Sequence, residues 1–245
     1  MKKVLKISLV IVFAIIVFVA VPRLLPQIFY KNHVQYKDYK VYSNDVIDSN
    51  IYHIIDSAIV LTSNNLMPKT KYKYKIFLCN SDFLYRIHTV YWTMSTGSSD
   101  FMTNNIFIAF SSLTDNYASY CKNPDTSKRR SIQSTIAHEQ THIILRETLG
   151  LFKYINLVRN ANWKIEGFCE WIAFNGILID YKHIHSIVKS GEYKSNPFYQ
   201  YHLNRFAVDY LIVKKEYSLN ELMNSGDKFE DILQIVKNSA TLELF

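Results

Sequence analysis

The sequence predicts an α+β fold: a small β-rich half, then a helical half. Two segments carry the strands. Residues 71–79 alternate charged with apolar side chains and end in an apolar run, and residues 105–110 are almost wholly apolar and β-prone. From residue 131 onward, apolar positions recur at helical spacing between capping signals. Strands gathered ahead of helices, rather than alternating with them, are the α+β order. The 245 residues suit one domain plus an appendage, and 49% hydrophobic against 20% charged residues excludes a disordered chain.

The appendage comes first. Ile7 to Val21 is an uncharged apolar run preceded by Lys2, Lys3 and Lys6. It has no polar face, so a soluble amphipathic helix does not explain it. Two readings remain. A cleaved secretory signal needs a small-x-small site, and the best one, ending at Ala20, places Phe18 where a small residue is wanted. The sequence therefore favours an uncleaved transmembrane helix, with residues 1–31 as anchor and flank and residues 32–245 as the folded domain. The leading lysines put the domain on the extracytoplasmic side of the cell membrane, and secretion after cleavage is the alternative.

Charge follows the same division. The chain carries +7, but Lys2, Lys3, Lys6, Arg23 and Lys31 lie in the first 31 residues with no acid among them. Removing these five leaves 23 basic against 21 acidic residues, a balance of +2. Nothing in that balance suggests a nucleic-acid partner.

Within the domain, Ile47, Ile51, Ile54, Ile55, Ala58 and Leu61 predict a helix over 45–62, capped from Ser43-Asn44-Asp45. The strand at 71–79 follows, and Ser81-Asp82 caps a short helix over Phe83, Leu84 and Ile87. Gly97-Ser98-Ser99 reads as a turn before the 105–110 strand, and 113–130 as a polar loop. A helix over 131–149 stops at Gly150, and another starts near Trp163. A third opens at Asn196-Pro197 and runs through Tyr210-Leu211-Ile212. Ser218-x-x-Glu221 and Asp227-x-x-Glu230 have the form of capping boxes. Cys79, Cys121 and Cys169 allow at most one bridge; three pairings are possible, Cys79 with Cys121 among them, and three free thiols are the alternative.

The chemistry lies in His138-Glu139-Gln140-Thr141-His142, an H-E-x-x-H pattern flanked by helical apolar residues. Positions four apart on a helix differ by only about 40° in direction, so both imidazoles face one point. Two imidazole nitrogens suit zinc, and Glu139 is placed to reach a water rather than the metal. The plain alternative is a helix with two satisfied histidines. A third ligand is needed, and 23 residues separate His142 from Glu166 in Trp163-Lys164-Ile165-Glu166-Gly167-Phe168-Cys169-Glu170-Trp171. Glu166 and Glu170 are again four apart on one helix face. One can bind metal while the other steadies a ligand histidine. His183-Ile184-His185 would form a second metal pair only on a strand, and His33, His53 and His88 read as structural.

H-E-x-x-H followed by W-x-x-E-G-F-x-E-W resembles the gluzincin zinc metallopeptidases, and most of all their peptidase MA-like group. The resemblance extends weakly over residues 70–240. It implies a zincin-like domain and Zn2+ held by His138, His142 and Glu166, with Glu170 supporting the ligands. It also implies Glu139 as catalytic base, and an edge strand, Asn105 to Phe110, that pairs with an extended peptide or protein substrate. Tyr201 or His202 would donate to the oxyanion. Lys164-Ile165 and Cys169 depart from the family pattern. The aminopeptidase G-x-M-E-N signature is absent from 97–110, which points to an endopeptidase. The expected function is thus a membrane-anchored zinc endopeptidase; the alternative is an inactive, zinc-binding, membrane-tethered interaction module.

Overall fold

The computed structural model describes residues 20–69, 72–89, 95–100, 102–120, 129–175, 177, 179–194 and 197–238. The apolar run at 7–21 lies almost entirely outside them, as does Cys121. Among the described residues no helix is long and apolar enough to cross a membrane. The architecture is α+β, and the chain divides into two compact units, residues 1–57 with 71–139 and residues 58–70 with 140–245.

The first unit holds the sheet. Its order is β1-β2-β3-β5-β4, with β1 at Asn32–Tyr36, β2 at Tyr39–Ser43, β3 at Tyr74–Cys79, β4 at Gly97–Ser99 and β5 at Asn105–Ala109. β1 and β2 form a hairpin whose tight turn puts Lys37 at a φ of 49°. β2, β3 and β5 run parallel, and β4 closes the sheet antiparallel to β5. The register sets the core: Tyr42, Phe77 and Phe107 align across three strands, with ring centroids 4.8 and 5.2 Å apart. Tyr30, Tyr85 and Cys79 fill the same face, and Val41, Ile76 and Ile106 line up on the opposite one. A second, two-stranded sheet pairs β6 (Ser111–Ser112) with β7 (Tyr117–Ala118).

Two strand expectations change. Asn105 to Phe110 was expected to be the edge, but β5 is buried along its whole length between β3 and β4. The edge is β4, formed by the Gly97-Ser98-Ser99 segment expected as a turn. The helix expected at 45–62 begins later: α1 spans Asn50–Thr62, and Asp48 Oδ1 accepts from the Asn50 N–H at 2.8 Å. Ser81 does cap α2 (Asp82–Thr89), through the Leu84 N–H at 3.2 Å.

The second unit is helical, and helix α3 (Ile132–Leu149) runs from the first unit into it. Gly150, at a φ of 79°, breaks the chain before α4 (Leu151–Asn160). Then come α5 (Asn162–Ala173), α6 (Tyr181–Ser190) and α7 (Pro197–Asp209). A π-helical turn at Tyr210–Lys214, α8 (Leu219–Asn224) and α9 (Phe229–Asn238) complete the unit. Ser218 and Glu221 form the expected capping box, whereas Asp227 accepts instead from Lys215 Nζ at 3.2 Å. Ile165, Phe168, Leu203, Phe206 and Leu211 are fully buried in the core between these helices.

One close approach organises the second unit. A Cβ on Gly167 would lie 2.3 Å from the Asn204 carbonyl oxygen and 2.7 Å from Val208 Cγ2. Only a residue without a side chain lets α5 and α7 meet here, and that contact fixes the face α5 presents. Lys164, beside it, is buried and donates to the Ser225 carbonyl and hydroxyl at 2.7 and 2.8 Å. It thereby satisfies the C-terminal end of α8, and burial pushes its pKa down.

Candidate metal centre

Helix α3 starts at a built cap. Ser131 Oγ accepts from the Ser134 N–H at 3.3 Å, and Asn116 Oδ1 takes the Ile132 N–H at 3.2 Å. Ile132, Ile136, Ile143 and Leu145 bury the helix, and His138 and Glu139 are buried with it. His138 and His142 stand one turn apart, on one side of this helix, as their spacing predicts.

His142 is oriented by its other nitrogen. Its Nδ1 lies 3.0 Å from the Tyr154 hydroxyl of α4, with the two rings edge-on. That contact engages Nδ1 and leaves Nε2 aimed at α5, where Glu166 Oε1 sits 3.7 Å away. Zinc places two of its ligand atoms about 3.3 Å apart when its bonds are 2.0–2.1 Å, so this pair is close to the separation a shared ion would set.

A third donor comes from the same helix as Glu166. The ligand atoms of His138, His142 and Cys169 all lie within 4.8 Å of one another. Cys169 follows Glu166 by three residues, so both project from one face of α5. Two imidazoles with a thiolate or a carboxylate are a donor set that zinc accepts, and the buried His-His-Cys group is able to hold a metal ion. Glu166 itself lies outside that group.

Glu170 is buried on the next turn position. Burial pulls the pKa of the Arg205 guanidinium on α7 down, and the charges of Asp209 and then Glu170 offset part of that fall. Arg205 also donates to the carbonyls of Phe174, at 3.3 Å, and Ile177. Asp209, one turn on, accepts from Trp171 Nε1 at 3.0 Å and from the Tyr181 hydroxyl at 2.8 Å. These polar contacts tie α5, α6 and α7 together.

Glu139 is positioned by the sheet. A Cβ on Gly97 would lie 2.6 Å from Thr135 Cγ2 and 3.0 Å from both Glu139 Cγ and Oε1. β4 therefore rests directly on α3 at the motif glutamate, and a glycine is what permits it.

The remaining sequence candidates lie on other elements. Tyr201 and His202 are exposed on α7. His183 and His185 lie on α6, not on a strand, so two residues apart they point in different directions, and His183 packs edge-on to Tyr199. Cys79 is a buried thiol, 3.1 Å from the Tyr30 hydroxyl, and burial pushes its pKa up to about 12. Three site features were missed in the sequence: Cys169, Tyr154 and Gly97. The three-residue step from Glu166 to Cys169 was readable on a helix. Tyr154 and Gly97 come from separate elements that no local spacing connects. The chain matches no protein-family model, no curated protein and no solved structure.

Proposed function

We propose that the chain is a zinc-dependent peptidase, an endopeptidase anchored to the membrane through residues 7–21 with its folded part extracytoplasmic. One observation carries the reading: the H-E-x-x-H helix brings two histidines together with a third donor, and its glutamate is buried against an edge strand. His138 and His142 would hold the ion, with Glu166 or Cys169 as third ligand. Bound there, Zn2+ would act as a Lewis acid on a peptide carbonyl and acidify a water.

The chain's own residues supply the rest. Glu139, next in sequence to one ligand and on the turn of the other, takes the proton of the attacking water and passes it to the leaving amine. Among the described residues β4 is the last strand of the five-stranded sheet, so its outer backbone edge offers hydrogen bonds to an extended peptide. Tyr201 and His202 remain the proposed donors to the oxyanion, being polar groups with exposed side chains. Tyr154 holds His142 in the ring orientation that directs Nε2 to the metal.

A second reading has a specific observation behind it. If Glu166 and Cys169 both bind, the ion has four protein ligands and no open position, as structural sites do. The protein would then be the inactive, membrane-tethered module. Glu139→Gln separates the two. In a peptidase it leaves metal content unchanged and lowers peptide hydrolysis by about 10²–10⁴-fold. Hydrolysis of a casein or peptide-library substrate at an undiminished rate in that variant removes Glu139 as the base. A wild-type chain that is zinc-loaded yet hydrolyses nothing in such a library favours the closed site.

A further inference from the structure

We propose that Cys169 is itself a metal ligand, giving the centre a sulfur donor; this rests on the metal-centre reading above. Three observations support it. The thiol is fully buried, and its Sγ lies within 4.8 Å of a ring nitrogen on each of the two motif histidines. It lies three residues beyond Glu166, on the same face of a helix whose rotation is set by the Gly167–Asn204 contact. The carboxylate of Glu166, 20% exposed on its side chain, is the less enclosed of the two candidate donors.

Physical chemistry favours the assignment. A thiol is a small side chain whose sulfur binds as the thiolate, and zinc takes sulfur at about 2.3 Å and imidazole nitrogen at about 2.0–2.1 Å. Binding replaces the S–H bond by an S–metal bond and releases one proton to solvent. The thiolate is softer than a carboxylate, so it tilts the site toward zinc, cobalt and cadmium and away from magnesium or calcium. It also places more negative charge on the ion than a neutral ligand would, which weakens its Lewis acidity. Whether Glu166 then binds decides how open the centre is.

The test uses the full chain, stripped with a chelator and reloaded with Co2+. A thiolate ligand produces an intense near-ultraviolet sulfur-to-cobalt charge-transfer band beside the weaker visible bands of tetrahedral cobalt. The expected result is both sets of bands in the wild type, with the near-ultraviolet band lost in Cys169→Ser and the visible bands kept. Visible bands without the near-ultraviolet band in the wild type would overturn Cys169 as a ligand while leaving the metal centre standing. No cobalt bands of either kind would overturn the centre and the proposal together. If Cys169→Ser does not fold, zinc-edge X-ray absorption on the wild type replaces it. A sulfur shell at about 2.3 Å supports the proposal, and a first shell of nitrogen and oxygen alone rejects it.

Discussion

Tyr154 is a partner for a motif histidine that sequence spacing does not offer. A metal-binding histidine needs a partner on its second nitrogen to fix the ring, and for His142 that partner is a phenol 3.0 Å away. Tyr154→Phe keeps the ring's packing and removes only the hydroxyl. It is expected to weaken zinc binding about 10–100-fold, measured by competition with a chromophoric chelator; an unchanged affinity would dismiss the contact as incidental. A second residue-scale prediction concerns His88. It is buried among Phe29, Tyr30, Phe77 and Phe107, and its Nδ1 lies 2.7 Å from the Pro22 carbonyl. Burial outweighs that bond and lowers its pKa to about 4. The folded form thus keeps His88 neutral where the unfolded chain, titrating near 6.5, takes a proton. Stability is full above about pH 6.5 and is lost as pH falls toward 4, by about 2 kcal/mol at pH 5. Its neighbours Tyr30 and Cys79 have pKa values pushed upward and stay neutral throughout. Urea midpoints at pH 7.5 and pH 5 should therefore differ by less in His88→Phe than in the wild type, and an equal fall in both would exclude His88 as the source.

At the scale of elements, the glycine in α5 is a packing requirement. Gly167→Ala forces a methyl into the Asn204 backbone at 2.3 Å, and backbone cannot step aside as a flexible side chain does. The expected cost is at or above about 3 kcal/mol, with α5 turned relative to α7 and zinc affinity reduced as well. A denaturation midpoint equal to the wild type's would show that the helices separate freely. The same contact explains what the sequence could reveal of the site. His138, Glu139 and His142 share one helix, so their spacing alone places them. Glu166, Cys169 and Glu170 share another, and spacing groups them but does not rank them. The rank depends on how α5 is rotated, which is set by a contact with Asn204, more than thirty residues away. The sheet shows the same limit. The strand at Tyr74–Cys79 was legible from its alternation, and β5 from its apolar run. The β1–β2 hairpin and β4 were not, because each is short and partly polar and becomes a strand only by pairing with a neighbour.

For the molecule as a whole, the open matter is what its first residues do. The charge excess lies with them, since the part beyond residue 31 is nearly balanced. The fold begins sooner than that boundary suggests. Pro22 and Pro26 are buried, Arg23 donates to the Thr89 carbonyl at 3.2 Å, and Asn105 Nδ2 donates to the Arg23 carbonyl at 3.3 Å. Tyr30 packs on Phe77 at a centroid distance of 5.3 Å. Residues 22–30 are thus packed into the first unit, and in sequence they follow the apolar run Ile7–Val21 directly. An uncleaved anchor would then be joined to the folded unit with no slack, which holds the sheet close to the bilayer surface. Cleavage after Ala20 would instead leave a soluble protein that keeps all of these contacts. The full chain is expected to sediment with membranes, resist extraction by alkaline carbonate and keep its intact mass, whereas a chain lacking residues 1–19 is expected to stay soluble and folded. A processed mass starting at Val21, recovered from the medium, would replace the anchor by a secretory signal. A chain lacking residues 1–31 should be less stable than either, because it also loses Pro22, Pro26 and Tyr30 from the core. If thermal unfolding of that shorter chain matched that of the chain lacking 1–19, residues 20–31 would be a mere linker, and the close tether would be wrong.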